Sequence, residues 1–244
     1  MNRLVRASVA AAATAMVAGA LGGCALLTPP QHFSDTATVT EEIRTIELVD
    51  PAGSVAVRGA TGATEVTVAR TLSYRGERPT DETHEVSGDT LELRGCGRRC
   101  SVEYTIDVPA GVDVRGATSN GAIKLSDVGE VDVQTTNGRI ELDDVAGSII
   151  AETSNGRILG RDLNGDGIRA STSNGAIDLE LGEPQDVEAR TSNGAIDLTV
   201  PSASYQVSTE TSNGSTDIQV PNESDGRFSL DLRTSNGSIT VTED

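Results

Sequence analysis

From residue 118 to the C-terminus the chain repeats one phrase, and that phrase restricts the fold more than any other feature. It reads TSNGAIKL (118–125), TTNGRIEL (135–142), TSNGRILG (153–160), TSNGAIDL (172–179), TSNGAIDL (191–198), TSNGSTDI (211–218) and TSNGSITV (234–241). The Asn-Gly pairs begin at Asn120, Asn137, Asn155, Asn174, Asn193, Asn213 and Asn236, with spacings of 17, 18, 19, 19, 20 and 23 residues. Self-similarity at such a period marks stacked-repeat architectures.

Alignment on the Asn shows which way side chains point. Three positions after it stand Ile123, Ile140, Ile158, Ile177, Ile196, Thr216 and Ile239; five after it stand Leu125, Leu142, Gly160, Leu179, Leu198, Ile218 and Val241. The position between is mostly polar, with Lys124, Glu141, Leu159, Asp178, Asp197, Asp217 and Thr240. This is the two-residue period of a half-buried strand. Upstream the same alternation recurs, from Val114 and Gly116 in the first copy to Leu230 and Leu232 in the last. Each rung therefore carries two short strands, one on either side of an Asn-Gly corner.

Two architectures use such a pattern. In an antiparallel meander, each Asn-Gly is a hairpin turn. In a parallel β-solenoid, the corner is a bend, rungs stack about 4.8 Å apart, and equivalent residues form columns. Near-identity of successive copies favours the solenoid, in which the Asn amides bond from rung to rung and Gly takes a corner with φ > 0. Regular repeats run from 112 to 244. Before them, IRTIELVD, GSVAVRG, TEVTVAR, DTLELRG and SVEYTIDVP read as earlier rungs with decayed corners. One domain of about ten rungs is expected over 36–244. Its final rung, Ser238 to Asp244, reads as an uncapped end open to self-association or to a partner.

Composition narrows the chemistry. The formal net charge is −18, with no Trp, three Tyr and two Phe. An acidic surface repels nucleic acid, which needs a basic face. Few aromatic rings count against gripping sugars or bases by stacking.

The chain begins MNRLVRASVAAAATAMVAGALGGC: basic Arg3 and Arg6, an uncharged Ala/Val run, then small residues before Cys24. That is the three-part layout of an export signal. Leu21-Gly22-Gly23-Cys24 resembles the bacterial lipobox, which implies acylation of Cys24 and removal of residues 1–23. An ordinary signal peptide with a coincidental cysteine is the alternative. Residues 24–35, with Pro29-Pro30, then read as a tether. The expected location is the outer face of a bacterial cell membrane.

Cys96 and Cys100 remain as an even pair in an oxidising compartment, and CGRRC reads as a small disulfide loop. Zinc is the competing reading, but two thiolates make half a site, and His32 and His84 stand alone in sequence.

The TSNGxIxL repeats, preceded by VPAGVDV (108–114) and lying behind the lipobox-like segment, resemble the bacterial β-strand-repeat family of proposed adhesins, in a lipoprotein form. The function of that family is unknown. The resemblance covers most of the mature chain and implies a right-handed parallel β-helix with an adhesin-like role. CGRRC and the acidic loop PNESDG (221–226) depart from the bare repeat.

Parallel β-helices also carry polysaccharide-active enzymes, so the outward column Glu141, Asp178, Asp197 and Asp217 is the candidate for carboxylate chemistry. Stacking alone spaces such groups about 5 Å apart, near the separation in retaining glycosidases. A working pair also needs a cleft that raises one pKa. NGDG (164–167) occurs once and suits a turn better than a calcium repeat. No phosphate-cradling loop, HExxH or GxSxG is present, and no cofactor is implied. The expectation is a non-catalytic, membrane-anchored surface for an unknown protein or glycan. The alternative is a glycan-active enzyme using the aspartate column.

Overall fold

In a computed structural model describing residues 29–244, all regular secondary structure is β. In chain order the strands are β1 (Gln31–Val39), β2 (Thr45–Val49), β3 (Val55–Ala60), β4 (Val66–Tyr74), β5 (His84–Ser87), β6 (Thr90–Arg94), β7 (Cys100–Pro109), β8 (Asp113–Asn120), β9 (Ile123–Val128), β10 (Val131–Asn137), β11 (Ile140–Val145), β12 (Ile149–Asn155), β13 (Ile158–Leu163) and β14 (Ile168–Asn174). There follow β15 (Ile177–Leu181), β16 (Val187–Asn193), β17 (Ile196–Val200), β18 (Tyr205–Asn213), β19 (Thr216–Ile218), β20 (Phe228–Asn236) and β21 (Ile239–Glu243). Strands that enter the TSNG corners, with β2, β5 and β6, form a ten-stranded sheet, ordered β18-β20-β16-β14-β12-β10-β8-β2-β6-β5. Strands that leave them, with β1, β3, β4 and β7, form an eleven-stranded sheet, ordered β1-β4-β7-β3-β9-β11-β13-β15-β17-β21-β19.

Within the repeats every pairing is parallel and the TSNG corners are in register, with Asn137 against Asn120 and Asn155, and Ile140 against Ile123 and Ile158. This is the solenoid, and the meander is excluded. Ile123, Ile140, Ile158, Ile177, Ile196 and Ile239 line a dry interior between the two sheets. The Thr two residues before each Asn also turns inward. Thr153, Thr172, Thr191 and Thr234 donate their hydroxyls, at 2.9–3.0 Å, to the corner glycine carbonyl one rung away. A buried hydroxyl without a partner is costly, so this strut explains Thr at that position.

Several corner glycines need their lack of a side chain for a different reason from the one expected. Gly138, Gly156 and Gly194 are not among the glycines with positive φ. Instead, a Cβ there would overlap the carbonyl of the glycine one rung away: Gly121, Gly138 and Gly175 respectively. Close rung-to-rung approach selects Gly along the column, and at Gly121, with φ of 117°, the positive φ expected of the corner is present as well.

The opposite edge of the rod carries a second column. Asp127, Asp144 and Asp162 adopt φ of 53°, 52° and 49°. Each bulges its strand, so that Leu125 and Val128, or Leu142 and Val145, both face inward three residues apart. The column stops where β15 lacks the extra residue and the register shifts between Gly160 and Leu163. Gly160 leaves no void, because Leu163 and Leu179 occupy the space of the missing side chain.

Three expectations change. The stretch 36–112 is only partly a set of decayed rungs. β2–β3 and β6–β7 stack in parallel, but β1, β4 and β5 pair antiparallel and close the N-terminal end. The sheet begins at Gln31, inside the stretch assigned to the tether, because the alternation from Phe33 to Val39 lets β1 pair along all of β4. Finally, 238–244 is not the end of the rod. β20 and β21 lie between β16/β17 and β18/β19, so β18/β19 is outermost. Burial explains the order. Leu230, Leu232, Ile239 and Val241 are 0% exposed, whereas the corresponding Thr209 and Thr216 of β18/β19 tolerate water.

Candidate functional site

The side chains outside the core form four groupings: a ridge, a charged wall, a carboxylate column and a polar knot at the N-terminal end. The ridge follows the TSNG corners. Asn137, Asn155, Asn174, Asn193, Asn236 and Asn213 each donate Nδ2 to the Oδ1 of the Asn before them in the stack, starting from Asn120, at 2.9–3.2 Å. Beside this ladder runs an outward row of hydroxyls, including Ser173, Ser192, Ser212 and Ser235. Arg139 and Arg157 are the only charged residues within two positions of any ladder Asn. The ridge is thus a nearly neutral strip on a chain of net charge −18.

The face of the entry sheet is different. Arg169 meets Glu188 at 2.9 Å, and Glu188 also meets Arg190. Arg190 and Arg233 reach Asp231 at 3.5 and 3.0 Å, and Arg233 reaches Glu210 at 3.6 Å. Opposite charges face each other at Arg169–Glu188 and Arg233–Glu210, whereas Glu188 lies opposite Asp231 and Arg190 opposite Arg233, and there the neutralising partner stands two residues along the strand. Arg169, Glu188, Arg190, Glu210 and Arg233, together with Ser171 and Ser192, line a shallow depression of about 490 Å³. Its cations are already paired, so the wall is a polar contact surface rather than a free anion site.

The carboxylate column is interrupted. Leu159 of β13 stands between Glu141 and Asp178, and Thr240 of β21 between Asp197 and Asp217. Only Asp178 and Asp197 are neighbours, and both are exposed. Glu141 is engaged by Lys124 at 2.8 Å and Arg139 at 3.0 Å. NGDG forms a turn in which Asn164 Nδ2 donates to the Asp162 carbonyl at 3.0 Å. Among the described residues, no three His, Cys, Asp or Glu side chains converge as a metal site. Cys96 and Cys100 are joined as a disulfide with Cα atoms 5.6 Å apart. Cys24 lies outside the described residues.

At the N-terminal end, Arg70 grips both carboxylate oxygens of Asp35, at 2.6 and 2.8 Å, and donates to the Thr83 hydroxyl at 2.6 Å. Tyr104 donates to the carbonyls of Thr83 and, at 2.8 Å, Arg94. Burial pushes the Tyr104 phenol up to about 12. Burial, followed by the Arg70 charge, holds His84 below its usual value. The Arg70 hydrogen bond likewise holds the Asp35 carboxyl low. The sign follows from linkage: a lowered carboxyl stabilises fully above its unfolded value of about 3.9, and the contribution is lost as pH falls through the folded value. Acid titration followed by hydrogen exchange is expected to show β1 losing protection before the TSNG rungs. Simultaneous loss would separate Asp35 from the anchoring of β1.

Sequence reasoning missed the Thr struts, the left-handed Asp column and this knot. The first two left a signal, Thr two positions before the Asn in every copy and Asp-Val or Asp-Leu at 127–128, 144–145 and 162–163. The knot joins residues from unrelated strands and left none.

Comparison with known proteins accords with this architecture. The sequence model of the family described as Toastrack DUF4097 matches residues 43–243, and the chain belongs to that family. Among solved structures the chain is similar to a proposed adhesin from Parabacteroides merdae, at 12% identity over 86% of this chain and 96% of that one, with a TM-score of 0.50. It is also similar to a proposed adhesin from Bacteroides fragilis, at 13% identity over 87% and 97% of the two chains, with a TM-score of 0.43. A proposed cell adhesion protein from Clostridium sporogenes matches at 14% identity over 88% and 100%, with a TM-score of 0.39. At such identities the likeness to the first of these shows a shared fold and nothing finer. No curated protein sequence matches the chain.

Proposed function

We propose that this Toastrack DUF4097 chain is a lipid-anchored stalk on the outer face of a bacterial cell membrane, presenting its solenoid as an adhesin-like or scaffolding surface. The observation that supports this reading is the polarity of the rod. β1 begins seven residues after Cys24 and lies at one end of the exit sheet, while β19 lies at the other. Ten strand-to-strand steps of about 4.8 Å give a rod of roughly 48 Å. An extended linker from Cys24 reaches at most about 25 Å. An acylated Cys24 therefore holds the antiparallel end near the bilayer and stands the β18/β19 end away from it. Two or more acyl chains make such anchoring stable. The long polar walls suit contact with a protein or glycan along an extended surface, and the solved relatives are described as proposed adhesins.

The anchor is tested by detergent-phase partitioning of the expressed protein. Wild type is expected in the detergent phase and Cys24→Ala in the aqueous phase; a variant that still partitions removes the lipid anchor. The surface role is tested by attachment of cells displaying the chain to the producer's own envelope fraction. Turnover of cell-wall polysaccharide, lost in Asp178→Asn or Asp197→Asn, would replace the binding role with a glycan-active one.

A further inference from the structure

The outermost strand of the entry sheet already shows how it accepts another strand. β18 pairs with β20 on one side only. On its other side, Val207 donates its N–H to Asn222 Oδ1 at 2.9 Å, and Asn222 Nδ2 donates to the Val207 carbonyl at 3.0 Å. Glu223 N–H donates to the Tyr205 carbonyl at 2.8 Å, and Tyr205 and Asn222 form an isolated parallel bridge. The side-chain amide of Asn222 thus stands where the peptide group of a further strand would lie.

This cover ends at Val207. Tyr205 and Val207 direct their peptide groups away from β20, so with the two-residue period of a strand Thr209 and Thr211 do the same. Among the described residues, neither has a backbone partner on that side. The strip 208–213 is therefore an open edge along six of the nine residues of β18, next to a stretch that already bridges in parallel to Asn222. Its inward side chains are Thr209 and Thr211. Exposure of this edge without a partner is consequently tolerable, which suits reversible docking.

Charge selects the occupant. Glu210 projects from the strip, Asp217 follows on β19, and Glu223 and Asp225 lie on the covering loop, all exposed. The cation near Glu210 is Arg233, at 3.6 Å, and it is shared with Asp231 at 3.0 Å. A second copy paired edge to edge would set Glu210 beside Glu210 on chains of net charge −18. We infer that the outer edge of β18, beyond Asn222, is a docking strip for an extended basic segment of a partner protein, added as a further strand. Main-chain hydrogen bonds supply affinity, and Lys or Arg opposite Glu210 supplies selectivity. The inference names the partner chemistry for the distal end of the proposed stalk. Its test in solution does not need the lipid anchor, so failure here leaves the partitioning result standing.

The purified chain is titrated into a fluorescein-labelled eight-residue peptide alternating Thr and Lys, and into one alternating Thr and Glu, with anisotropy as the readout. Saturable binding of the basic peptide alone is expected. Thr209→Pro removes an outward N–H not used by β20 and is expected to weaken binding at least tenfold. Glu210→Gln is expected to weaken it about threefold. Asn222→Ala uncovers Val207, lengthens the strip and is expected to tighten binding. Because Thr209→Pro could disturb the rung, the peptide comparison and the other two variants carry the test independently. Equal affinity for both peptides, or basic-peptide binding unchanged by Thr209→Pro and Glu210→Gln alike, overturns the inference. So does sedimentation showing a dimer that Thr209→Pro dissolves, which would make a second copy the occupant.

Discussion

Replacing Gly156 with alanine is expected to cost about 3 kcal/mol or more of unfolding free energy, while Ser154→Ala two residues away costs less than about 0.5 kcal/mol. Gly-to-Ala changes at compatible backbone positions usually stabilise by about 0.4–1 kcal/mol, because they restrict the unfolded chain. Gly156 does not have a positive φ, so its own backbone gives no reason for the opposite sign. The reason lies one rung away. A Cβ at Gly156 would overlap the Gly138 carbonyl, and its neighbours there are backbone atoms that no rotamer change can move. Nor can the rungs drift apart. Gly138 N–H donates to the Asn155 carbonyl at 3.1 Å, and Gly156 N–H to that of Asn174 at 3.0 Å. The Thr153 strut ties the same corner to the Gly138 carbonyl at 3.0 Å. Urea unfolding of the two variants beside wild type checks this. A Gly156→Ala midpoint within error of wild type would mean that rung spacing at the corner is loose.

What the sequence disclosed about this rod, and what it hid, follow from the same repetition. Inward positions such as Ile123 and Leu125 were legible because a two-residue period and a column of like residues carry the same message twice. The corner Asn ladder was legible because one amide stacked on another is both donor and acceptor. Rung order was not legible. Every copy offers the same TSNG register, so β18 fits against β16 as well as β20 does, as far as pairing alone can tell. The trace lay in Thr209 and Thr216, polar residues where the interior rungs carry Gly, Val, Ala or Leu at the first position and Ile at the second. The antiparallel cap was hidden too, since β4 has the same alternation as a parallel strand and its partner lies across Gly, Pro and charged turns. The loop 221–226 was visible as acidic, but the role of Asn222 depends on which edge it reaches. Of the candidate surfaces, the aspartate column was over-read: it assumed sequential stacking, and β21 separates Asp197 from Asp217.

Rung order also makes the sharpest contrast between two single substitutions. Leu232→Asp is expected to be severe, and Thr209→Asp mild, although the two positions are equivalent in the repeat and adjacent in the stack. Leu232 is 0% exposed and lies between Ala189 on β16 and Thr209 on β18. A carboxylate there has no cation within the apolar interior and loses its water, a cost of about 4 kcal/mol or more. Thr209 is half-buried on the outermost rung, where a carboxylate reaches solvent beside an already acidic edge, so a cost of about 1 kcal/mol is expected. Spatial consequences separate the variants further. Among the described strands β18 and β19 pair with β20 and β21 alone, so disrupting the inserted rung releases residues 205–218 as well as 228–243. Stacked repeats lose stability from one neighbour to the next, so β8 to β15 should keep their protection. Hydrogen exchange of Leu232→Asp therefore reads the order directly. If protection is lost over 228–243 and retained over 205–218, the final rung is terminal in solution and β18/β19 packs on β16/β17. If both segments lose it together, the last strands of the chain are the layer that holds the distal tip in place.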